Sequence, residues 1–277
     1  MECLSSAATP LRRDSLAIRP PPSTLCTFDS PFSNSGRASI TAHPWQRQRG
    51  RDMRTFRDER AFHLDWLTNA LECDTDARAD SCPNDCSGCP CRPVFDLDAS
   101  HGTSEYVMQL CREVRRRHLC GFRSAVVVGL GTGSLTACLE QHCPCMRITT
   151  VDVDPQALSI VRRFFGWKNN SRSVVSLIGA GPFFRSARRR DEVVDLVVLD
   201  CFVKHSIPEE CKSPQLLADI RHVLPPNGSL LAVNVLNPRT SSMTAELRRH
   251  VARPHTIERH LGQWITLWNG PSGSGYS

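Results

Sequence analysis

The sequence predicts an α/β fold in which one doubly wound, seven-stranded sheet forms the main domain. Short apolar strands alternate with helices of about a dozen residues, which is the pattern of parallel sheets covered on both faces. The first strand, residues 125–128, is fully apolar and is closed by a glycine. Two later strands end in an acid, at Asp152 and Asp200, as expected where a sheet edge meets a ligand.

Regular elements are predicted from residue 100 onwards. The chain enters the domain through a helix, because Val107, Leu110, Cys111 and Val114 recur at helical spacing. Parallel strands are predicted over residues 125–128, 148–153, 174–178, 193–199 and 230–235. Two final strands are predicted within residues 255–268, joined by a tight turn near Gly262.

Three helices between these strands have clear signals. One begins at about Ser134, after the glycine-rich turn. The next has Pro155 in its first turn, where proline is tolerated, and an apolar stripe that includes Ile160 and Val161. A third, around Leu216, ends before residues 225–228 (PPNG), which are a strong helix break.

The domain organisation follows from shifts in composition. Residues 1–52 are rich in Ser, Pro and Arg and predict a disordered tail, with an organelle transit peptide as the alternative. Residues 53–99 form a Cys-rich extension, residues 100–270 the α/β domain, and residues 271–277 a flexible C-terminus. The default localisation is cytoplasmic, since no signal peptide or apolar membrane span is visible.

Charge and cysteine content restrict the classes of partner. The net charge is +6, and part of it lies in two arginine clusters at 115–117 and 188–190. Cations suit helix C-termini and no aromatic stacking pattern accompanies them, so the pattern favours solvated helix ends over a patch that binds nucleic acid or an acidic protein. Cys111, Cys138 and Cys201 are interpreted as reduced, buried apolar side chains among fourteen cysteines.

Four cysteines close together could hold a metal ion: Cys82, Cys86, Cys89 and Cys91. Paired thiolates a few residues apart are typical of structural zinc. One cluster without a second Cys/His pair is not specific, so an insert that binds nothing is an equal alternative. The spacing of Cys82, Cys86 and Cys89 also fits an iron–sulfur signature of radical enzymes, but a different fold follows it here.

The turn after the first strand reads Gly129-Leu130-Gly131-Thr132-Gly133. Glycines there permit a tight turn and let a ligand approach the backbone. The dinucleotide motif G-x-G-x-x-G is not matched, because Ser134 occupies the place of its third glycine. A tight turn with no ligand is the alternative interpretation.

Two acids complete the candidate site. Asp152 ends the second strand, where a carboxylate can accept both hydroxyls of a ribose. Asp154 is predicted to cap the following helix. Asp200 ends the fourth strand and could orient or deprotonate an attacking amine, or could bond only to loop amides. Glu105 on the first helix could face the same cleft.

The segment from Val126 to Val235 resembles the spermidine synthase-like branch of class I S-adenosylmethionine-dependent transferases. Within that branch it is most similar to the eukaryotic elongation factor lysine and N-terminal methyltransferases. The resemblance lies in the stretches VVVGLGTGSL, ITTVDVDPQALSIVRRFFGW, DLVVLDCFVKHSIP and LPPNGSLLAVNV. It implies a Rossmann-like domain of about 170 residues that binds S-adenosylmethionine.

The resemblance also implies roles for individual residues. The cofactor would lie along Gly129, Leu130, Gly131, Gly133, Asp152, Val153, Gly179, Ala180, Gly181 and Asp200. The glycines of the turn would contact its methionine part, Asp152 its ribose, and Gly179, Ala180 and Gly181 its adenine. Asp200 would face the reacting group. The implied partner is a protein of the elongation factor type, methylated on a lysine or on its N-terminus, and a homodimer is compatible with the resemblance.

Two departures from the family keep other functions open. Ala180 stands where an acid usually accepts the adenine amino group, which weakens cofactor binding by on the order of 1 kcal/mol. Lys204 follows Asp200 where polyamine-making members carry a second acid, and this disfavours aminopropyl transfer. Aminopropyl transfer to a polyamine and a non-catalytic binding module are therefore the alternatives to methyl transfer. A dehydrogenase fits poorly because of the paired final strands and the Gly179–Gly181 segment.

Overall fold

The computed structural model describes residues 105–116, 122–202, 206–226, 228–235 and 242–251, with isolated strands elsewhere whose backbone alone is described. Its main sheet has seven strands, which lie side by side in the order 256–260, 263–269, 230–235, 196–199, 124–128, 147–152 and 173–177. The last five of these strands are parallel, whereas strand 263–269 pairs antiparallel with strand 230–235 and with strand 256–260. The predicted doubly wound, seven-stranded sheet is confirmed.

The strands of this sheet agree closely with the prediction. They are β6 (Ser124–Val128), β7 (Arg147–Asp152), β8 (Ser173–Leu177), β9 (Leu196–Leu199), β10 (Leu230–Val235), β11 (Thr256–His260) and β12 (Gln263–Asn269). β9 is shorter than predicted because Val193, which is 63% exposed, lies before the strand in the preceding loop.

Seven helices are described. They are α1 (Glu105–Arg116), α2 (Ser134–His142), α3 (Pro155–Phe164), α4 (Ala180–Arg189), α5 (Glu209–Lys212), α6 (Pro214–Val223) and α7 (Ser242–His250). Asp154 caps α3 as predicted, since its side chain accepts a hydrogen bond from the amide of Gln156 at 2.8 Å. The single-turn helix α5 was not predicted, because four residues are too few to show a helical period.

The core has two layers, one on each face of the sheet. Ala125 and Val127 of β6 pack with α1, α2 and α3, whereas Val126 and Val128 pack with α4, α6 and α7. Alternate residues of one strand therefore face opposite layers, and all four are buried. This is the physical reason why the strand has no polar alternation in its sequence.

Two side-chain predictions on the helices can be compared with the structure. Arg188 lies in the last turn of α4 and donates to the buried carboxylate of Asp219 at 2.8 Å, in agreement with a helix-end role. Cys111 and Cys138 are buried as predicted, but the structure joins them as a disulfide between α1 and α2. Their two Cα atoms lie 6.6 Å apart, a separation that a disulfide can span, so the structure pairs two cysteines that the sequence analysis predicts as separate reduced thiols.

A second sheet lies in the first third of the chain. Its order is β1-β2-β3-β4-β5, and every neighbouring pair is antiparallel. The strands are β1 (Ser23–Asp29), β2 (Arg37–Gln46), β3 (Phe56–Leu64), β4 (Leu67–Asp74) and β5 (Arg92–Pro93). β1 and β2 lie within residues 1–52, where the sequence predicts a disordered tail. The sequence did not indicate these strands, because strands with few apolar residues give no clear period of two. The domain boundaries at 52, 99 and 270 stay predictions.

Candidate functional site

The carboxyl edge of the parallel strands brings together the predicted site residues. Leu130 and Asp152 are in direct contact, and the turn that begins at Gly129 lies against the backbone of Asp200. β8 ends beside β7, with Leu177 paired to Asp152, so the segment from Gly179 to Gly181 follows at the same edge. Ligands of open α/β sheets bind at this edge.

The turn after β6 is built on glycines in left-handed conformations. Gly129, Gly131 and Gly133 have φ angles of 101°, 51° and 74°. A Cβ atom on Gly129 would lie 2.2 Å from the carbonyl oxygen of Asp200, so no larger residue fits between β6 and β9. A Cβ atom on Gly133 would lie 2.9 Å from Cγ1 of Val161. The turn therefore depends on glycine for both its conformation and its packing.

Asp152 links this turn to the start of α3. Its Oδ2 accepts a hydrogen bond from the amide of Leu130 at 2.7 Å, and its Oδ1 accepts one from the amide of Asp154 at 2.8 Å. Burial raises the pKa of Asp152 above its ordinary 3.8, and the amide hydrogen bonds oppose that rise in pKa. A carboxylate has about four acceptor positions, so each oxygen can still accept a hydroxyl. The next residue, Val153, is 55% exposed.

The segment after β8 carries a carboxylate that the sequence did not indicate. Ala180, the first residue of α4, is 4% exposed and packs in the core beside Phe184. Glu210 of α5 reaches this helix start, and its Oε1 accepts a hydrogen bond from the amide of Gly181 at 3.2 Å. A Cβ atom on Gly179 would lie 2.6 Å from the same oxygen. An acid therefore lies beside Ala180, although it comes from another part of the chain.

Asp200 is held from both sides by side chains of other elements. The hydroxyl of Tyr106 on α1 donates to its Oδ2 at 2.7 Å, and Nδ2 of Asn234 on β10 donates to its Oδ1 at 2.8 Å. Burial raises the pKa of Asp200 above its ordinary 3.8, while the bonds from Asn234 and Tyr106 lower it in part. Burial also raises the pKa of the Tyr106 phenol, and the charge of Asp200 adds to that rise.

Neither Tyr106 nor Asn234, the two residues that donate hydrogen bonds to Asp200, was among the predicted site residues. The sequence pointed to Glu105, one residue before Tyr106, and the side chain of Glu105 lies outside the described part of the structure. The sequence did offer a signal for Asn234, since it is a polar residue near the end of an otherwise apolar strand. The pairing of Val233 with Leu199 places Asn234 level with Asp200 across two parallel strands.

The loop after Asp200 contributes a pair of thiols. Cys201 forms a side-chain hydrogen bond with Cys211 of α5, and this bond, together with burial, raises the pKa of Cys201 well above its ordinary value. Both cysteines are free thiols. With its pKa raised, the Cys201 thiol provides no negative charge at neutral pH beside Asp200. Lys204, on which the sequence argument against a polyamine substrate partly rests, lies outside the described residues.

The zinc prediction concerns a segment that lies outside the described residues. Cys82, Cys86, Cys89 and Cys91 all fall in this segment, which runs from residue 75 to residue 91. Among the residues with described side chains, no group of three or more His, Cys, Asp or Glu is placed to hold a metal ion. The zinc site therefore stays a prediction. Within the same part of the chain, no helix is long and apolar enough to cross a bilayer.

A cavity of about 370 Å³ opens beside the glycine turn, between α2 and the loop that follows α3. Thr132 and Gly133 line one side of it and Phe165, Trp167 and Lys168 another. Neither Asp152 nor Asp200 lines this cavity. It is therefore distinct from the strand edge that carries the acids.

Comparison with protein families and curated proteins identifies the type of domain. The family model described as a methyltransferase domain matches residues 126–232. A polyamine aminopropyltransferase of Vibrio vulnificus (strain CMCP6) is 26% identical over 107 residues, which are 39% of this chain and 36% of that protein. The eEF1A lysine and N-terminal methyltransferase of Homo sapiens is 25% identical over 155 residues, 48% of this chain and 22% of that protein. The chain thus spans about a third or less of these curated relatives.

Solved structures show the same fold. Human methyltransferase-like protein 13 in complex with SAH has a TM-score of 0.51 at 19% identity, covering 60% of this chain and 84% of that chain. The spermidine synthase from Thermotoga maritima has a TM-score of 0.58 at 10% identity, covering 90% of this chain and 73% of that one. Residues 100–277 are only about two thirds of the chain, so this second likeness in fold extends into the residues before position 100.

These comparisons confirm the resemblance inferred from the sequence. Both branches that the sequence motifs suggested, the spermidine synthase-like fold and the elongation factor methyltransferases, are found again. The family match over residues 126–232 also agrees with the prediction of a methyltransferase domain.

Proposed function

We propose that the protein transfers a methyl group from S-adenosylmethionine to an amine of another protein, because residues 126–232 match the family model described as a methyltransferase domain. The observation that carries this proposal is the position of Asp200. Its partly buried carboxylate, oriented by Tyr106 and Asn234, lies at the strand edge beside the glycine turn. A carboxylate held at this edge can accept a hydrogen bond from the N–H group of an incoming amine.

The residues present fit the cofactor that the family implies. Asp152 keeps acceptor capacity for two ribose hydroxyls on oxygens that the amides of Leu130 and Asp154 already orient. The glycine turn leaves backbone open for the methionine part. At the other end, Glu210 is placed to accept the adenine amino group that Ala180 cannot accept. The departure at Ala180 is therefore compensated, in this proposal, by a carboxylate from α5.

The chemistry assigned to the chain is mainly positional. When bound, S-adenosylmethionine supplies a methyl group already activated by its positive sulfur, and S-adenosylhomocysteine leaves with the electron pair of the broken C–S bond. Asp200 accepts a hydrogen bond from an N–H group of the neutral amine. This hydrogen bond aims the lone pair of the amine nitrogen at the methyl carbon. The C–N bond forms as the C–S bond breaks, and the extra proton of the product ammonium passes to water.

The acceptor is proposed to be a lysine or an N-terminal amine. This follows the names of the relatives, which include eEF1A lysine and N-terminal methyltransferases from Homo sapiens and Xenopus laevis. Cys201 and Phe202, which follow Asp200, carry no negative charge that would hold a polyammonium chain. An elongation factor 1A-type protein is therefore the first acceptor to test.

Aminopropyl transfer is the second candidate function, because a polyamine aminopropyltransferase is among the relatives. The carboxylate of Asp200 could equally accept a hydrogen bond from a polyamine nitrogen. The two functions differ in the cofactor that reacts. Aminopropyl transfer uses decarboxylated S-adenosylmethionine and putrescine and yields spermidine.

One experiment separates these functions. The purified full chain is incubated with methyl-labelled S-adenosylmethionine and either elongation factor 1A or a protein extract, and separately with decarboxylated cofactor and putrescine. Methyl transfer to protein that disappears in Asp152→Ala supports the proposal. Spermidine formation without protein labelling supports the second candidate. Absence of both products, together with no cofactor heat in calorimetry, overturns the enzymatic function and leaves a binding module.

A further inference from the structure

Asn234 has an amide oxygen that the interactions described so far do not use. The side chain is 4% exposed, and its Nδ2 donates to Asp200. Its Oδ1 is buried and has no hydrogen-bond partner. Buried polar atoms almost always have a partner, so an orphan beside a candidate catalytic carboxylate points to a donor that arrives with a ligand.

We propose that Asp200 and Asn234 together form a two-acceptor site that selects a primary amine. This inference rests on the proposed function and adds the class of acceptor nitrogen. The orientation of the amide follows from charge. An ionised carboxylate only accepts hydrogen bonds, so Asn234 must turn its nitrogen towards Asp200, and its oxygen becomes the second acceptor of the pair.

The number of N–H bonds then decides which amines fit. A neutral primary amine has two N–H bonds and one lone pair. It can donate one bond to Asp200 and one to Asn234 while its lone pair faces the methyl carbon. A secondary amine has a single N–H bond and leaves one acceptor unpaired, which is unfavourable in a buried site. The site therefore favours the first methyl transfer over the second on the same nitrogen.

Two cofactor analogues test this without knowledge of the natural acceptor. S-adenosylhomocysteine has no amine at the reacting position. Sinefungin carries a primary amine on a carbon that replaces the methylated sulfur. Calorimetry gives the affinity of both for the wild type, for Asn234→Leu, and for Asn234→Thr, which suits a strand and lacks the amide oxygen. Thr244→Val is the matched control, because Thr244 also has a buried, unpartnered side-chain oxygen but no bond to Asp200.

The wild type is expected to bind sinefungin about tenfold more tightly than S-adenosylhomocysteine, since one hydrogen bond to a charged donor contributes this much. Both substitutions at position 234 should remove most of this preference while S-adenosylhomocysteine still binds. Thr244→Val should keep the preference. Retained binding of S-adenosylhomocysteine also shows that each variant is folded.

A comparison with Tyr106→Phe distinguishes contact from orientation. Tyr106 donates to the other oxygen of Asp200 and presents no second acceptor. If Asn234 acts only by orienting Asp200, Tyr106→Phe and Asn234→Leu will lower the preference for sinefungin equally, and the proposal is overturned. It is also overturned if neither change alters the preference. Failure of the wild type to bind S-adenosylhomocysteine overturns the proposed function itself.

Discussion

Gly129 lies so close to Asp200 that a Cβ atom on the glycine would come within 2.2 Å of the aspartate's carbonyl oxygen. The contact joins the end of β6 to the end of β9, and the amide of Asp200 donates to the carbonyl of Val128 at 2.9 Å next to it. The position of the candidate catalytic carboxylate thus depends on a residue without a side chain.

Gly129→Ala is expected to destabilise the fold and to weaken cofactor binding. A left-handed alanine costs about 1 kcal/mol, and displacing the backbone of Asp200 adds about 1–3 kcal/mol. Gly228→Ala is the matched control, because Gly228 also has a positive φ, 80°, but a Cβ atom there would have no other atom within 4 Å. Urea unfolding of both variants measures the difference. Equal losses of unfolding free energy would contradict the steric argument.

Asp152→Asn is expected to lower the affinity for S-adenosylmethionine about tenfold to a hundredfold, since a carboxylate that accepts ribose hydroxyls is lost. Asp154→Ala serves as the control two residues away. It removes the cap of α3 and should lower the unfolding free energy by about 1 kcal/mol without changing cofactor affinity. Titration calorimetry and thermal unfolding measure the two effects. Unchanged affinity in Asp152→Asn would exclude the ribose role.

Glu210→Ala is expected to weaken binding of S-adenosylhomocysteine about fivefold to tenfold, because the adenine amino group loses its acceptor. The inosine analogue, S-inosylhomocysteine, lacks this amino group, so its affinity should change less. Glu209→Ala is the control, since Glu209 points to solvent and pairs with Lys212 at 2.6 Å. If Glu210→Ala weakens both ligands equally, Glu210 only caps α4 and does not recognise adenine.

Asp200→Asn is expected to reduce methyl transfer by about a hundredfold or more and to raise thermal stability at neutral pH. Burial raises the pKa of Asp200, so the folded state holds the proton to a higher pH than the unfolded chain. The contribution of the Asp200 carboxyl group to the free energy of unfolding is therefore fully present below pH 3.8. This contribution is lost as the pH rises through the pKa of Asp200 in the folded state.

The pH dependence of stability provides the check on Asp200. The melting temperature of Asp200→Asn should exceed that of the wild type at pH 7, and the difference should shrink as the pH falls towards the ordinary pKa of 3.8. A variant that is less stable than the wild type at pH 7 would show that the bonds from Tyr106 and Asn234 outweigh the cost of burying the charge.

The parts of the fold that the sequence predicts are those with a strong local signal. β6 and β10 are apolar on both faces except at Ser124 and Asn234, so their burial is visible without any structure. Glycines and acids at strand ends, such as Gly129 and Asp152, are also visible because they interrupt that pattern. The antiparallel sheet of β1 to β5 was missed, since its strands have no continuous apolar run.

The residues missed at the candidate site share a different property. Tyr106, Asn234 and Glu210 come from α1, β10 and α5, and each acts on a residue far away in the chain. No local pattern shows that an acid of α5 reaches the start of α4, or that a tyrosine of α1 meets the end of β9. Such contacts depend on tertiary packing, so only the structure provides them.

β9 carries an acid next to each of its ends. Asp195, just before the strand, accepts hydrogen bonds from the amides of Arg123 and Ser124 and so fastens β9 to the start of β6. Asp200, just after it, lies at the opposite edge of the sheet. The anchoring contact and the candidate catalytic carboxylate therefore lie at opposite ends of a four-residue strand, so substitutions in the loop after Asp200 are expected to leave the anchoring end of the sheet unchanged.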